Sequence, residues 1–421
     1  MKIQPIHHIQ KTLRVPGDKS ISHRAIMLGA LADGVSQFRG FLLGEDCLST
    51  IACFRQMGVS IALEGDTVTV HGAGLSGLTP PKDILYTGNS GTTTRLMAGI
   101  LAGQPFDSII TGDSSIAQRP MARIISPLRQ MGAHISGREE KFCPLVIKGS
   151  RLSGIEYRLP VASAQLKSCL LLAGLFAHGK TRLIEPAPSR NHTEIMLRQM
   201  GAEVRSEDTS VLLTPPPCLS PLSFTIPGDI SSAAFFIVAA LITKDSEITI
   251  EHVGINPTRT GILDVLQEMG ADITLKNCQT TGEPVCDIVA RSSTLHGTVI
   301  GGNIIPRLID ELPILAVAAA FAQGETIISD AAELKVKESN RITAMVSELS
   351  KAGVCVQETA DGMKIQGGAP VQAGVFDSYH DHRIAMSMAV LALGADGCSE
   401  LQHADVVSIS YPGFFDILNT L

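Results

Sequence analysis

Apolar residues gather along this chain in two alternating patterns. Six Ala/Leu-rich stretches lie near 24–32, 95–102, 166–177, 232–242, 312–322 and 384–393, and each reads as a helix. Between them a shorter phrase recurs: Phe54-Arg55-Gln56-Met57-Gly58-Val59, Leu128-Arg129-Gln130-Met131-Gly132-Ala133, Leu197-Arg198-Gln199-Met200-Gly201-Ala202 and Leu266-Gln267-Glu268-Met269-Gly270-Ala271. A weaker copy stands at Leu349-Ser350-Lys351-Ala352-Gly353-Val354. Each copy predicts a helix end, a glycine just beyond it and then a strand. Short alternating segments such as Val68-Thr69-Val70 and Ile248-Thr249-Ile250 predict strands.

The phrase glycines are spaced by 74, 69, 69 and 83 residues. A unit of that length exceeds the common solenoid repeats, which run roughly 20–50 residues. Each unit holds two helices and several strands. The sixth runs to Leu421, just before its expected glycine. Six such α+β units suggest an α/β molecule of two lobes with three units each.

Composition narrows the class. Of 421 residues, 44% are hydrophobic and 18% charged, enough for large cores, and with 4% aromatics and no Trp those cores are aliphatic. A net charge of -7 argues against a general nucleic-acid binder. Apolar runs such as Ala233 to Ile242 and Ile314 to Ala322 are too short to span a bilayer. The N-terminal residues show no apolar signal core. Nine cysteines without a C-x-x-C pair read as reduced core thiols, and the expected location is the cytoplasm.

Candidate chemistry sits at helix starts. Leu13 to Arg24 runs from a short strand through Pro16-Gly17 into the first apolar helix, for which Ser20 is the expected cap. Lys19 and Arg24 flank that start, where a cation costs roughly 0.3–1 kcal/mol unless an anion compensates it. Lysine, arginine and free N–H groups together make a phosphate or carboxylate site. The alternative is an ordinary capped helix with solvated charges. It is no Walker A loop, because Thr12 stands where the first glycine is required. Gly72-Ala73-Gly74-Leu75-Ser76-Gly77 matches G-x-G-x-x-G but runs into Pro80-Pro81 rather than a helix, so it reads as a turn.

Further starts repeat the theme. Gly88 to Arg95 exposes backbone N–H groups beside a cation, with Asn89, Gly91 and Thr92 in the turn. Arg119 precedes Pro120, a residue suited to the first helical position. Ser163, Ala164 and Gln165 open the third unit, and Arg190 lies before the next helix. Asp310 precedes a very apolar helix, and Lys337, Glu338 and Arg341 precede an amphipathic one. Arg383 follows Tyr379-His380-Asp381-His382, whose two histidines lack the further ligands of a metal site.

These motifs resemble the EPSP synthase family of enolpyruvyl transferases. The N-terminal Lys19-Ser20 motif, Gly88-Asn89-Ser90-Gly91-Thr92, Ser163-Ala164-Gln165-Leu166-Lys167-Ser168 and Arg383 all match it. The resemblance implies an inside-out α/β barrel of six βαβαββ units in two lobes. Residues 1–17 with 228–421 would form one lobe and 18–227 the other, with the active site in the cleft between them. It further implies transfer of the enolpyruvyl group of phosphoenolpyruvate to the 5-hydroxyl of shikimate 3-phosphate by a monomer, with no cofactor or metal. Implied catalytic groups are Asp310 on the base side and Glu338 and Lys19 on the acid side. Lys19, Ser20, Arg24, Ser163, Ala164, Gln165, Arg190, Asp310 and Lys337 are the implied ligands of shikimate 3-phosphate. Lys19, Asn89, Gly91, Thr92, Arg119, Gln165, Arg341 and Arg383 are those of phosphoenolpyruvate, while Asp381 and His382 shape the cleft. Ile409 departs from the family pattern, standing where many members carry lysine.

Two rival readings share this fold. A transferase acting on UDP-N-acetylglucosamine would resemble a family with a reactive cysteine near Ala117-Gln118-Arg119, where this chain has none. A non-catalytic anion-binding protein would have no need of Lys19, Asp310 and Glu338 together.

Overall fold

A computed structural model describes residues 1–421. The six apolar stretches are helices at Lys19–Leu31, Gly91–Ala102, Ala164–Gly174, Ile230–Ile242, Leu312–Phe321 and His382–Leu393. They are apolar on every side and therefore buried on every side: all residues from Ile230 to Leu241 are buried, as are all from Leu312 to Ala320. The strands instead alternate, as in Val35–Arg39 and Phe142–Lys148, with one face on the core and the other outward. Helices lie inside and sheets outside, which is the sense of an inside-out α/β barrel.

The recurring phrase ends the second helix of each unit, at Glu45–Gln56, Ala122–Gln130, His192–Gln199, Gly261–Glu268 and Arg341–Lys351. Its glycines, Gly58, Gly132, Gly201, Gly270 and Gly353, all have φ between +77° and +96°. That left-handed position lets the chain leave the helix and enter the next strand, and glycine takes it without a Cβ penalty.

Five four-stranded sheets share one plan: a strand parallel to a second, then two antiparallel partners. In two of them the first strand comes from far along the chain. Phe224–Thr225 lies parallel to Val35–Arg39, and Gln10–Leu13 lies parallel to Glu247–Gly254. Of the two remaining sheets, one has three strands, with Lys2–Ile3 antiparallel to Ser399–Gln402, and the other pairs Leu152–Ser153 with Ala177–His178 in parallel.

These exchanges divide the chain into two compact units, Gly17–Ile226 and Met1–Pro16 with Pro227–Leu421. The crossings fall at Pro16–Gly17 and Ile226–Pro227, each one residue earlier than the sequence suggests. Each unit has its own aliphatic core built round three of the buried helices.

Candidate active site

In the 17–226 unit the first helix start differs from expectation. Asp18, not Ser20, is the cap: its carboxylate accepts the Ile21 N–H at 2.8 Å. An aspartate there satisfies the orphan donor and also suits the positive helix end. Lys19 is thereby the first helical residue and is paired with Asp46, from the first turn of Glu45–Gln56. Arg24, one turn in, is buried; its Nε donates to Thr193 Oγ1 at 2.6 Å, Nη2 to Ser168 Oγ at 2.7 Å and Nη1 to the Ser20 carbonyl at 2.9 Å. His23 beside it is also buried. Burial first, and then Lys19 and Arg24, hold its pKa well below the ordinary value, so the ring is neutral.

The second helix start is capped by Ser90. Arg119 Nη2 donates to Asn89 Oδ1 at 2.6 Å and to Ser115 Oγ at 3.1 Å, while Asn89 Nδ2 donates to Asp113 at 2.8 Å. Here too the expected local structure is corrected: Pro120 is not the first residue of a helix. The next helix begins at Ala122, and Arg119 instead closes the short 3-10 turn Ile116–Gln118. The arginine is aimed by Asn89 and Ser115 rather than by its own helix.

Ser163 caps the third start, its hydroxyl accepting the Leu166 N–H at 3.4 Å, and Ala164 is the first helical residue. Gln165 joins two starts: its oxygen accepts from Arg95 Nη1 at 2.8 Å and its nitrogen donates to Thr92 Oγ1 at 3.1 Å. Lys167 points inward, 2% exposed, between Glu185 and Glu194, each at 2.8 Å. It also donates to the Ser189 carbonyl at 3.1 Å, and Glu185 accepts the Ser189 hydroxyl. That buried knot fixes the segment immediately before Arg190, which is itself half-buried.

In the terminal unit Arg341 is the centre. It is 1% exposed. Its Nε donates to Asp381 at 2.8 Å and Nη2 to Glu338 at 2.6 Å, while Nη1 lies 3.5 Å from Asp310. Burial acts to lower the Arg341 pKa, but Asp381, Glu338 and Asp310 more than offset it and hold it above the ordinary value. Burial likewise acts to raise the Asp381 pKa, and Arg341 turns the balance, leaving the carboxyl below its usual range. Lys337 Nζ lies 3.5 Å from the same Asp310 oxygen. Asp381 also caps His382–Leu393 by accepting the Arg383 N–H at 2.9 Å. Arg383 Nη1 donates to the Asp310 carbonyl at 3.0 Å.

Within each unit, then, residues from different repeats meet: Arg24 with Ser168 and Thr193, and Gln165 with Thr92 and Arg95, in one; Asp310, Arg341, Asp381 and Arg383 in the other. Asp46, Thr193 and Glu311 were not singled out by the motifs, and Ser168, which ends the third motif, was given no role. A buried carboxylate or hydroxyl at a helix start is a weak signal, and only tertiary packing shows which cation it meets.

Solved structures place this architecture among the enolpyruvyl transferases. The enolpyruvyl transferase NikO from Streptomyces tendae superposes with a TM-score of 0.80 over all of this chain and 96% of its own, at 17% identity, which shows the shared fold. The EPSP synthase from Acinetobacter baumannii superposes with a TM-score of 0.90 at 46% identity, over 100% of this chain and 97% of that one. The 3-phosphoshikimate 1-carboxyvinyltransferases of Desulforamulus reducens and Geobacillus thermodenitrificans are each 54% identical over 99% of this chain, covering 98% and 97% of theirs. Residues 3–418 match the model of EPSP synthase (3-phosphoshikimate 1-carboxyvinyltransferase), and the chain belongs to that family.

Proposed function

We propose that this chain transfers the enolpyruvyl group of phosphoenolpyruvate to the 5-hydroxyl of shikimate 3-phosphate, as a monomeric enzyme of the cytoplasm. The observation that carries the assignment of roles is that Asp310 and Glu338 share one guanidinium, that of Arg341. This brings the base-side and acid-side candidates together around a fixed charge. No helix is long and apolar enough to cross a membrane.

The chemistry needs two proton transfers to form the tetrahedral intermediate and a third to collapse it. Glu338, assisted by Lys19, delivers a proton to C3 of phosphoenolpyruvate, making C2 electrophilic. Asp310 takes the proton of the 5-hydroxyl, whose oxygen attacks C2. The tetrahedral intermediate then expels phosphate, with C3 losing a proton to restore the double bond. Acid and base contribute roughly 10²–10⁴-fold each. Lys19, Ser20, Arg24, Ser163, Ala164, Gln165, Arg190, Asp310 and Lys337 hold shikimate 3-phosphate in this reading. Lys19, Asn89, Gly91, Thr92, Arg119, Gln165, Arg341 and Arg383 hold phosphoenolpyruvate. Arg341 presents its Nη1 edge, whose carboxylate contact is the long one at 3.5 Å. Charges fixed before the substrate arrives need little reorganisation as charge develops.

A transferase acting on UDP-N-acetylglucosamine through a cysteine is disfavoured because Ala117-Gln118-Arg119 carries no thiol. Cys143, in strand Phe142–Lys148, is buried, and burial pushes its pKa up to about 11. Phosphate release from phosphoenolpyruvate with shikimate 3-phosphate, run beside the same assay with UDP-N-acetylglucosamine, tests the assignment. Release with the first acceptor alone is expected; release with the second alone, or with neither, overturns it.

A further inference from the structure

Glu311 follows Asp310 yet turns away from the Arg341 cluster. It is 1% exposed, and its Oε1 lies 3.6 Å from Arg383 Nη1, an ion pair just beyond hydrogen-bond length. The same oxygen accepts the hydroxyl of Ser231. Its other oxygen, Oε2, is buried and makes no hydrogen bond. A buried carboxylate served by one hydroxyl depends on a nearby cation for compensation, and the Arg383 guanidinium supplies it.

The Ser231 hydroxyl is itself directed. Arg259 Nη2 donates to Ser231 Oγ at 2.7 Å and to Asp229 Oδ1 at 2.9 Å. A guanidinium has no acceptor, so Ser231 Oγ must accept from it and its proton is left to point at Glu311. Asp229 also accepts the Ser231 N–H at 2.9 Å, and its own N–H donates to the Pro16 carbonyl at 2.9 Å. Asp229, Ser231, Arg259 and Glu311 are all at least nine-tenths buried. The sequence shows Pro227-Gly228-Asp229-Ile230-Ser231 only as an echo of Pro16-Gly17-Asp18-Lys19-Ser20 that lacks the lysine. In the structure this echo begins a line of hydrogen bonds that ends at Glu311, whose ion pair reaches Arg383.

We propose that Glu311 is a positioning residue for Arg383, held in place by the Ser231 hydroxyl and the Arg259–Asp229 pair, and that it sets how tightly phosphoenolpyruvate is held. Glu311 pulls the guanidinium from one side while the Asp310 carbonyl fixes it at 3.0 Å from another. Removing the carboxylate charge leaves the arginine charged and bonded to the Asp310 carbonyl but without the pull from its other side. This rests on the reading above that Arg383 binds phosphoenolpyruvate.

Steady-state kinetics of the whole enzyme, with each substrate varied in turn, test it. Glu311→Gln keeps the side-chain shape and an oxygen for Ser231 but loses the charge. Its KM for phosphoenolpyruvate is expected to rise roughly tenfold, with the KM for shikimate 3-phosphate and the melting temperature nearly unchanged. Glu311→Asp, which retains the charge, should fall between it and the wild type. Ser231→Ala leaves the carboxylate in place and should give a smaller rise, again for phosphoenolpyruvate alone; it carries the test if Glu311→Gln does not fold. A purely structural role would shift both KM values or only the melting temperature, and either result overturns the proposal. Arg383→Ala separates the failures. If it raises the KM for phosphoenolpyruvate while neither Glu311→Gln nor Ser231→Ala does, positioning alone is wrong. If Arg383→Ala leaves that KM unchanged, the role of Arg383 falls, and the proposal with it.

Discussion

The arginines near the helix starts differ between the two units. In the 17–226 unit they donate to neutral oxygens: Arg24 to Thr193 and Ser168, Arg95 to Gln165, Arg119 to Asn89 and Ser115. In the terminal unit they meet carboxylates: Arg341 with Asp381, Glu338 and Asp310, Arg259 with Asp229, Arg383 with Glu311. A neutral oxygen orients a guanidinium and leaves its charge for an incoming anion, whereas a carboxylate cancels that charge and fixes both partners. The first unit is thus suited to gripping phosphate and carboxylate. The second is suited to holding acids and bases in set positions. Buried carboxylates in the 17–226 unit serve its lysines, Asp46 on Lys19 and Glu185 with Glu194 on Lys167, while Glu140, Glu156 and Glu203 pair with arginines at the surface.

The largest test of that contrast is thermodynamic. Arg341→Met strands three carboxylates against one another and should cost about 3–5 kcal/mol of stability. Arg119→Met strands the neutral oxygens of Asn89 and Ser115 and should cost about 1–2 kcal/mol. Acid adds a sign. The Asp381 pKa is lowered in the folded protein, so its contribution is present above the unfolded value of about 4 and is lost as pH falls through the lower folded value. In Arg341→Met burial and Glu338 act on Asp381 without the arginine, its folded pKa rises, and the deficit should shrink on acidification. Urea unfolding at several pH values measures both. Equal losses for the two variants at neutral pH would erase the distinction between the units.

Next come the carboxylates as chemical groups. Asp310→Asn and Glu338→Gln are near-isosteric and should keep the fold and shikimate 3-phosphate binding, yet lose at least about 10²-fold in turnover. Wild-type turnover in either variant would remove that residue from proton transfer and leave it an ion-pair partner only.

The repeat explains why so much of this was legible beforehand. A pattern written six times announces its own helices, and five phrase glycines sit where a left-handed residue is needed. The site motifs could be located because, Arg119 apart, they lie at or just before helix starts. What stayed hidden was pairing over distance. Nothing local to Asp46 indicates Lys19, and nothing local to Glu311 indicates Ser231, because the first meeting is made by packing of two helices within a repeat and the second by packing between repeats. Caps were misjudged where two candidates stood close together, as with Asp18 and Ser20. The donated strands, Gln10–Leu13 and Phe224–Thr225, are too short to carry a periodic signal.

A smaller effect divides the cations by ligand. Arg24→Ala and Ser163→Ala should weaken shikimate 3-phosphate more than phosphoenolpyruvate, and Arg119→Ala should do the reverse, by roughly tenfold each. Calorimetric titration, adding phosphoenolpyruvate with its partner present, resolves the two. Equal losses for both ligands in all three variants would mean that the 17–226 unit offers one diffuse positive field and no separate grips.

The smallest expected effect is the sharpest probe of aim. A Cβ added at Gly91 would lie 2.8 Å from Arg95 Nη1 and 3.3 Å from Arg119 Nη1. The first is closer than such atoms come, but both are the far ends of long side chains and can move. The backbone tolerates the change, because Gly91 is the first residue of its helix and does not have a positive φ. Alanine there should leave stability unchanged or raise it by up to about 1 kcal/mol through helix propensity. The displaced groups, however, are the two guanidiniums aimed by Gln165 and Asn89, and neutral hydrogen bonds hold them more softly than ion pairs would. Gly91→Ala should therefore raise the KM for phosphoenolpyruvate by roughly 3–10-fold, the equivalent of losing about one neutral hydrogen bond. The KM for shikimate 3-phosphate should barely move, since Arg24 and Ser163 lie outside the reach of that Cβ. A melting curve alongside the kinetics separates aim from stability. An unchanged KM for phosphoenolpyruvate would show that the arginines reach their ligand from more than one position, so that aim by neutral oxygens is not what the 17–226 unit contributes.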